Sequence, residues 1–158
     1  MIRRRLAISQ KVAAEFPNVP GTSNRLGEAY HDLASFLADC STTQFRDPAR
    51  ATELAKRALQ FAPQYGPFWF TLGLAQYRAG QPKAAIESLR KSMELVTGGG
   101  SRHWFLLAMA HWQLGNKAEA RKWYDQAVKS MENDQPGHEQ QRRFRAEAAE
   151  LLGVKEKK

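Results

Sequence analysis

The chain has 158 residues, 42% apolar and 25% charged, the composition of one folded globular domain rather than a disordered or fibrous chain. Its net charge is +8, from 24 Lys+Arg against 16 Asp+Glu, and the excess is spread along the whole length, unlike the concentrated basic face of a nucleic-acid binder. One cysteine, Cys40, excludes an intramolecular disulfide and a cysteine zinc site, and the uncharged stretch Phe61–Tyr77 is too interrupted, by Pro63, Gly66, Pro67 and Gly73, to be a membrane span.

The first element in chain order is a helix over 2–16, stopped by Pro17. Its start, Met1-Ile-Arg-Arg-Arg, is basic like an export signal, but LAISQKVAAEF carries Lys11 and Glu15 and is no apolar core of one. The expected compartment is therefore the cytoplasm. After the loop NVPGTSN, Thr22 or Ser23 is expected to cap a second helix over LGEAYHDLASFLADC (26–40). A connection, STTQFR, leads to RDPARATELAKRALQFAP (46–63). There Asp47-Pro48 opens a helix, Ala51, Ala55 and Ala58 give its packing stripe, and Pro63 ends it.

The next two units reveal an internal repeat. WFTLGLAQYRAG (69–80) aligns with WFLLAMAHWQLG (104–115), with Trp69 over Trp104, Phe70 over Phe105, Leu72 over Leu107 and Gly80 over Gly115 at one offset of 35. Ala85 and Ala120 keep that offset, and Leu89 and Tyr124 fill one large apolar position. Each unit reads as two helices, the first ended by glycine and, in unit two, the second begun by Pro82. Gly98-Gly99-Gly100 links the units. The expected organisation is a truncated unit over 2–16, units at 22–65, 66–100 and 101–134, and a final helix over 138–152 after Gln135-Pro136-Gly137. That helix has a one-sided apolar face, Phe144, Ala148, Leu151 and Leu152, with Arg142, Arg143, Glu147 and Glu150 turned elsewhere. It is expected to cap the open end of unit three, as a solenoid requires.

W-x-x-L-G at 69–73, Gly80, A-x-x-x-L at 85–89 and Pro63 resemble the tetratricopeptide repeat, whose period is about 34. The resemblance spans about 26–134. Tyr77 sits one place after the family's usual tyrosine position, Ala108 replaces the Gly73-equivalent glycine, and Thr97 stands where proline is common. The stretch FLADCSTTQFRDPARATELAKRALQFAP resembles bacterial segments of this family, including some found C-terminal to serine/threonine kinase domains. The resemblance implies an all-α, right-handed solenoid of about eight helices whose first helices line a concave groove. On that frame Trp69, Leu72, Gly73, Gly80, Ala85, Trp104, Leu107, Gly115, Ala120 and Tyr124 are structural. The groove would present Phe70, Thr71, Leu74, Tyr77 and Arg78 in unit two, and Phe105, Leu106, Met109, Trp112 and Gln113 in unit three. In unit one the equivalents are Glu28, His31, Asp32, Ser35 and Asp39, giving a groove acidic at one end and aromatic at the other. Exposed aromatics with methionine mark a binding surface.

No constellation of catalytic residues stands out. His103 and His111 are eight apart, without a His-Glu-x-x-His pair, and the glycine run has no following Lys-Ser/Thr. Cys40 reads as a structural buried thiol. Asp32 and Asp39, seven apart, read as solvated or hydrogen-bonded carboxylates rather than a catalytic pair. Expected cofactors and metals are none, and no enzymatic activity is expected. The predicted function is a protein- or peptide-binding scaffold, monomeric or weakly oligomeric. The alternative, an RNA-binding helical repeat, is permitted by the charge, but the sequence offers no basic groove stripe. Arg3–Arg5, Arg142/Arg143/Arg145 and Lys155/Lys157/Lys158 cluster only locally and read as solvated faces and a tail.

Overall fold

The computed structural model describes residues 1–15, 21–133 and 139–154. Within them the chain is all-helical: α1 (Ile2–Glu15), α2 (Thr22–Asp39), α3 (Pro48–Phe61), α4 (Gly66–Arg78), α5 (Pro82–Leu95), α6 (Ser101–Gln113), α7 (Lys117–Asn133) and α8 (Glu139–Leu152), with a 3-10 turn at Thr43–Phe45. The Pro17 stop, the Gln135-Pro136-Gly137 turn, His138 and the terminal lysines lie outside the described residues.

Local chemistry sets the helix ends. Asp47 Oδ1 accepts from the Arg50 N–H at 3.1 Å, and Pro48, Pro67 and Pro82 stand in first turns, where no amide donor is needed. Gly80 and Gly115 adopt left-handed φ values of 71° and 78°. Each closes the same double bond: Gly80 N–H to Tyr77 O and Gln81 N–H to Gln76 O, then Gly115 N–H to Trp112 O and Asn116 N–H to His111 O, at 2.9–3.0 Å. At α2 the expected side-chain cap is absent. Gly21, at a left-handed φ of 89°, precedes the helix, and Thr22 is buried.

The helices pack as hairpins, α2 with α3, α4 with α5 and α6 with α7, and each pair leans on the next. Alanine-rich second helices allow close approach. Ala51, Ala55, Ala58, Ala85 and Ala120 are fully buried beside Leu33, Leu72, Leu89, Leu107 and Tyr124. Gly73 marks a close crossing of α4 and α5: a Cβ there would lie 2.8 Å from Leu89 Cγ and 3.2 Å from the Ala85 carbonyl oxygen. Trp69 and Trp104 are only partly buried at the margin of this core, not central to it as the repeat alone suggested. The long unit-one connection is tied down by Asp47 N–H to Leu37 O at 2.9 Å and by Arg46 Nε to Cys40 O at 2.8 Å. Cys40 caps α2 and is partly exposed, which corrects its reading as a buried thiol.

The terminal helix packs on unit three. α8 packs chiefly on α6, with lesser contact to α7, and its polar side chains reach α2 and α4. It covers unit three from the concave side, with those polar side chains meeting the ends of α2 and α4. Its buried residues are Phe144, Ala148, Ala149 and Leu152, whereas Leu151 is 37% exposed.

Candidate functional site

The concave face is built by α2, α4 and α6. Helical spacing places Glu28, His31, Asp32, Ser35 and Asp39 along α2, then Phe70, Thr71, Leu74, Tyr77 and Arg78 along α4, as the sequence predicts. Exposure is where the expectation fails. Phe70, Thr71, Leu74, Tyr77, Phe105, Leu106 and Met109 are all buried. Trp112 is partly buried beneath the Lys117 ammonium, 5.2 Å from its ring centroid, and Gln113 is exposed. Neighbouring helices take these rings into the core: Phe70 meets His103 of α6 edge-on at 4.7 Å, and Phe105 meets Tyr124 of α7 at 5.8 Å. The fully buried Phe144 of α8, which packs on α6, completes that core.

Ionic contacts hold α8 in place. Asp39, only 8% exposed, accepts from Arg143 and, at 2.8 Å, from Gln140 Nε2. Arg143 Nη2 also reaches the Asp39 carbonyl at 3.3 Å. Arg78 donates to both Glu147 oxygens, Nη2 lying 2.7 Å from Oε2, and sits 3.6 Å from Asp39. Glu147 and Asp39 hold the Arg78 guanidinium charged against the opposing effect of its burial. Burial, then Glu147, pushes the Tyr77 phenol up to about 12. Arg143 and Glu147, which the sequence placed only on faces other than the apolar one, therefore point into the concave face. Their signal was the spacing of Gln140, Arg143 and Glu147, one stripe beside the apolar Phe144 stripe.

The acidic end is neutralised from the other terminus. Arg5 of α1 pairs with Asp32 and lies 3.5 Å from Glu28, and Gln10 donates to Tyr30 Oη at 3.0 Å. Asp32 and Asp39 thus serve two different arginine sets and do not form one carboxylate pair.

One part of the concave face stays open. A recess of about 400 Å³ lies between α2, the starts of α4 and α6, and the start of α8. His31, Ser35, Phe70 and Thr71 line it, joined by Arg102 and Gln140, which the sequence reading did not single out. Arg102 lies over the Phe70 ring at 5.0 Å and donates to Gln140 Oε1 at 2.9 Å. Gln141 donates to Ser101 Oγ at 3.0 Å. His31 stacks on Phe68 at 4.8 Å, and burial lowers its pKa.

A serine and a histidine meet in the recess wall. Ser92 Oγ lies 3.0 Å from His103 Nε2 and donates to Gly66 O at 2.8 Å. The Gly100 N–H donates to His103 Nδ1 at 3.3 Å, so the ring proton sits on Nε2 and points at Ser92. This histidine donates to the hydroxyl and takes no proton from it, the reverse of an activated nucleophile. Burial and Arg102 push its pKa down to about 4. His111 is engaged separately, its Nδ1 3.5 Å from Asn116 Nδ2.

Residues 70–137 match the tetratricopeptide repeat family. The chain is also similar to three solved structures. MamA is 21% identical, over 94% of this chain and 77% of that one, with a TM-score of 0.59. A thermophilic TPR protein from Thermus thermophilus is 22% identical, over 96% and 73%, with a TM-score of 0.57. The Sgt2 TPR domain from Aspergillus fumigatus is 18% identical, over 78% and 79%, with a TM-score of 0.56. No curated protein matches the sequence. The fold is thus a tetratricopeptide-repeat α-solenoid, and among the described residues no helix is long and apolar enough to cross a membrane.

Proposed function

We propose that this tetratricopeptide-repeat solenoid is a scaffold that binds another protein or a peptide through its concave side. The fold supports interaction with proteins in general. The observation that carries the reading here is the open recess, about 400 Å³, floored by Phe70 and rimmed by Arg102, Gln140, His31 and Ser35. An aromatic floor with a few convergent polar groups suits an apolar side chain carried on a polar backbone. The wall is held by the Arg102–Gln140 and Gln141–Ser101 bonds, so little ordering cost falls on binding.

The basic groove residues do not favour RNA. Arg78 and Arg143 are engaged by Glu147 and Asp39.

The test is selection of displayed peptides on the full chain, then titration of the selected peptides against wild type and Ser35→Trp, which fills the recess from α2. The expected result is a loss of affinity of at least tenfold with unchanged thermal melting. Equal binding by the filled variant overturns the reading. A labelled single-stranded RNA that binds with a steep salt dependence, while no peptide is selected, replaces it with the nucleic-acid alternative.

A further inference from the structure

Four helices meet on the concave side, but only three belong to the stack. α4 leans on both α2 and α3, and α6 leans on both α4 and α5, as successive units of a solenoid do. α8 leans on α6 far more than on α7, and bonds across to α2 and α4. It occupies the concave face as a laid-in helix, the geometry of helix-in-groove recognition. Its hold is mixed. The apolar contribution is Phe144 and Leu152 with two alanines, Ala148 and Ala149. The rest is ionic: the buried Asp39 and Arg78 of the groove, of opposite sign, each take an opposite charge from α8. Buried pairs of this kind fix orientation and partner identity more than they add affinity.

We propose that α8 is a resident, displaceable occupant of the concave groove, and that the partner is an amphipathic helix carrying the same pattern. That pattern is an amide, a base and a carboxylate spaced as Gln140, Arg143 and Glu147, beside an aromatic anchor spaced as Phe144. This rests on the protein-binding reading and names its partner class. The partner's base meets Asp39 and its carboxylate meets Arg78, so a helix with those charges exchanged is rejected. The groove is unmasked only when α8 leaves, and a tethered helix competes at an effective concentration on the order of millimolar.

The experiment uses the full chain and a labelled synthetic peptide of residues 139–152. Anisotropy reads the binding, and amide hydrogen exchange reads which helices open. The resident helix is weakened by Glu147→Ala, or more mildly by Gln140→Ala. The expected result has three parts. The peptide binds the Glu147→Ala chain about fivefold more tightly than wild type, and the Gln140→Ala chain more tightly by a smaller factor. Its own Phe144→Ala version loses at least tenfold. Binding raises exchange in α8 while α2–α7 stay protected. Equal affinity for all chains overturns the proposal, as does binding without deprotection of α8. So does loss of protection throughout α2–α7 in both weakened chains, because α8 is then integral to the fold. Dimers of the chain dissolved by the peptide would put the α8 of a second copy in the groove and overturn a foreign partner. A displayed peptide that needs the recess but leaves α8 protected would overturn this proposal alone, leaving the scaffold reading standing.

Discussion

Arg78 on α4 grips Glu147 on α8 across 69 residues of sequence, with Nη2 2.7 Å from Oε2, while standing 3.6 Å from Asp39 on α2. The three groups make an acid–base–acid line across the concave face, and their burial is unequal. Side-chain exposure is 12% for Arg78 and 7% for Asp39 but 34% for Glu147. Removing the central base leaves Glu147 without its partner, and leaves the buried Asp39 held by Arg143 and Gln140 alone. Arg78→Ala is therefore expected to cost about 2–4 kcal/mol, and Glu147→Ala, whose partner keeps Asp39, about 1 kcal/mol. Exchanging the pair, Arg78→Glu with Glu147→Arg, is expected not to restore stability, because the new glutamate faces Asp39. Chemical denaturation of the three variants checks this. Full rescue by the exchange would show that Asp39 plays no part in the line.

The neutral His103 makes stability fall in mild acid. Its folded pKa, about 4, lies below the ordinary 6.5, so the unfolded chain binds the extra proton first. The contribution is fully present above pH 6.5 and is lost progressively as pH falls toward 4, roughly 3 kcal/mol in all. Tyr77 acts at the other extreme. Its folded pKa is raised from 10 to about 12, so its contribution is present below pH 10 and is lost as pH rises toward 12. Urea midpoints of wild type and His103→Gln at pH 7.5, 5.5 and 4.5 read the acid limb. The variant is expected to give the flatter curve; parallel curves would show that His103 does not carry the effect.

The repeat at offset 35 made the helices legible because packing and turn chemistry recur with it. Gly80 and Gly115 close the same bonds, and Ala85 and Ala120 occupy the same contacts. Groove exposure was not legible, because a face is open only if nothing distant folds over it. Position in a repeat places Tyr77 and Met109 on the groove side of their helices; it cannot say that both are buried there. The polar stripe Gln140, Arg143 and Glu147 carried that information, but it reads as an ordinary solvated helix face until Asp39 and Arg78 are seen opposite. For the same reason, Tyr77→Ala with Trp112→Ala is expected to destabilise the fold, since Tyr77 is buried.

The two hairpins differ at one repeat position, and the difference is testable. Gly73 sits where an added methyl would strike Leu89, whose side chain is fully buried, and crowd the Ala85 carbonyl. In the next unit Ala108 occupies the equivalent place and is fully buried. Gly73→Ala is expected to cost about 1–3 kcal/mol through overpacking, despite alanine's better helix propensity. Ala108→Gly should cost about 1 kcal/mol, through propensity and a small void. Thermal melts rank the two. A stabilised Gly73→Ala chain would show that the α4–α5 crossing is looser than its geometry.

The repeated tryptophans offer the sharpest contrast, because equal sequence positions have unequal hydrogen bonding. Trp69 Nε1 donates to the Pro63 carbonyl at 2.8 Å, pinning the entry of α4 to the exit of α3. The equivalent Trp104 Nε1 is buried with no hydrogen-bond partner. The cause lies in the preceding turn. Pro63 leaves a carbonyl near the indole of Trp69, whereas 35 residues later the chain runs through Gly98, at a left-handed φ of 87°, and turns elsewhere. Phenylalanine keeps most of the ring area and deletes only the N–H. Trp69→Phe therefore loses a bond and leaves a carbonyl unpaired, for about 1 kcal/mol, while Trp104→Phe removes an unpaired donor and is expected to be neutral or stabilising. Both →Ala changes should be much worse, about 2–4 kcal/mol, since they also remove packing from partly buried rings. Denaturant midpoints of the four variants give the answer. Equal losses for the two phenylalanine changes would mean that both indoles are equally bonded, and that the repeat is more regular than its turns.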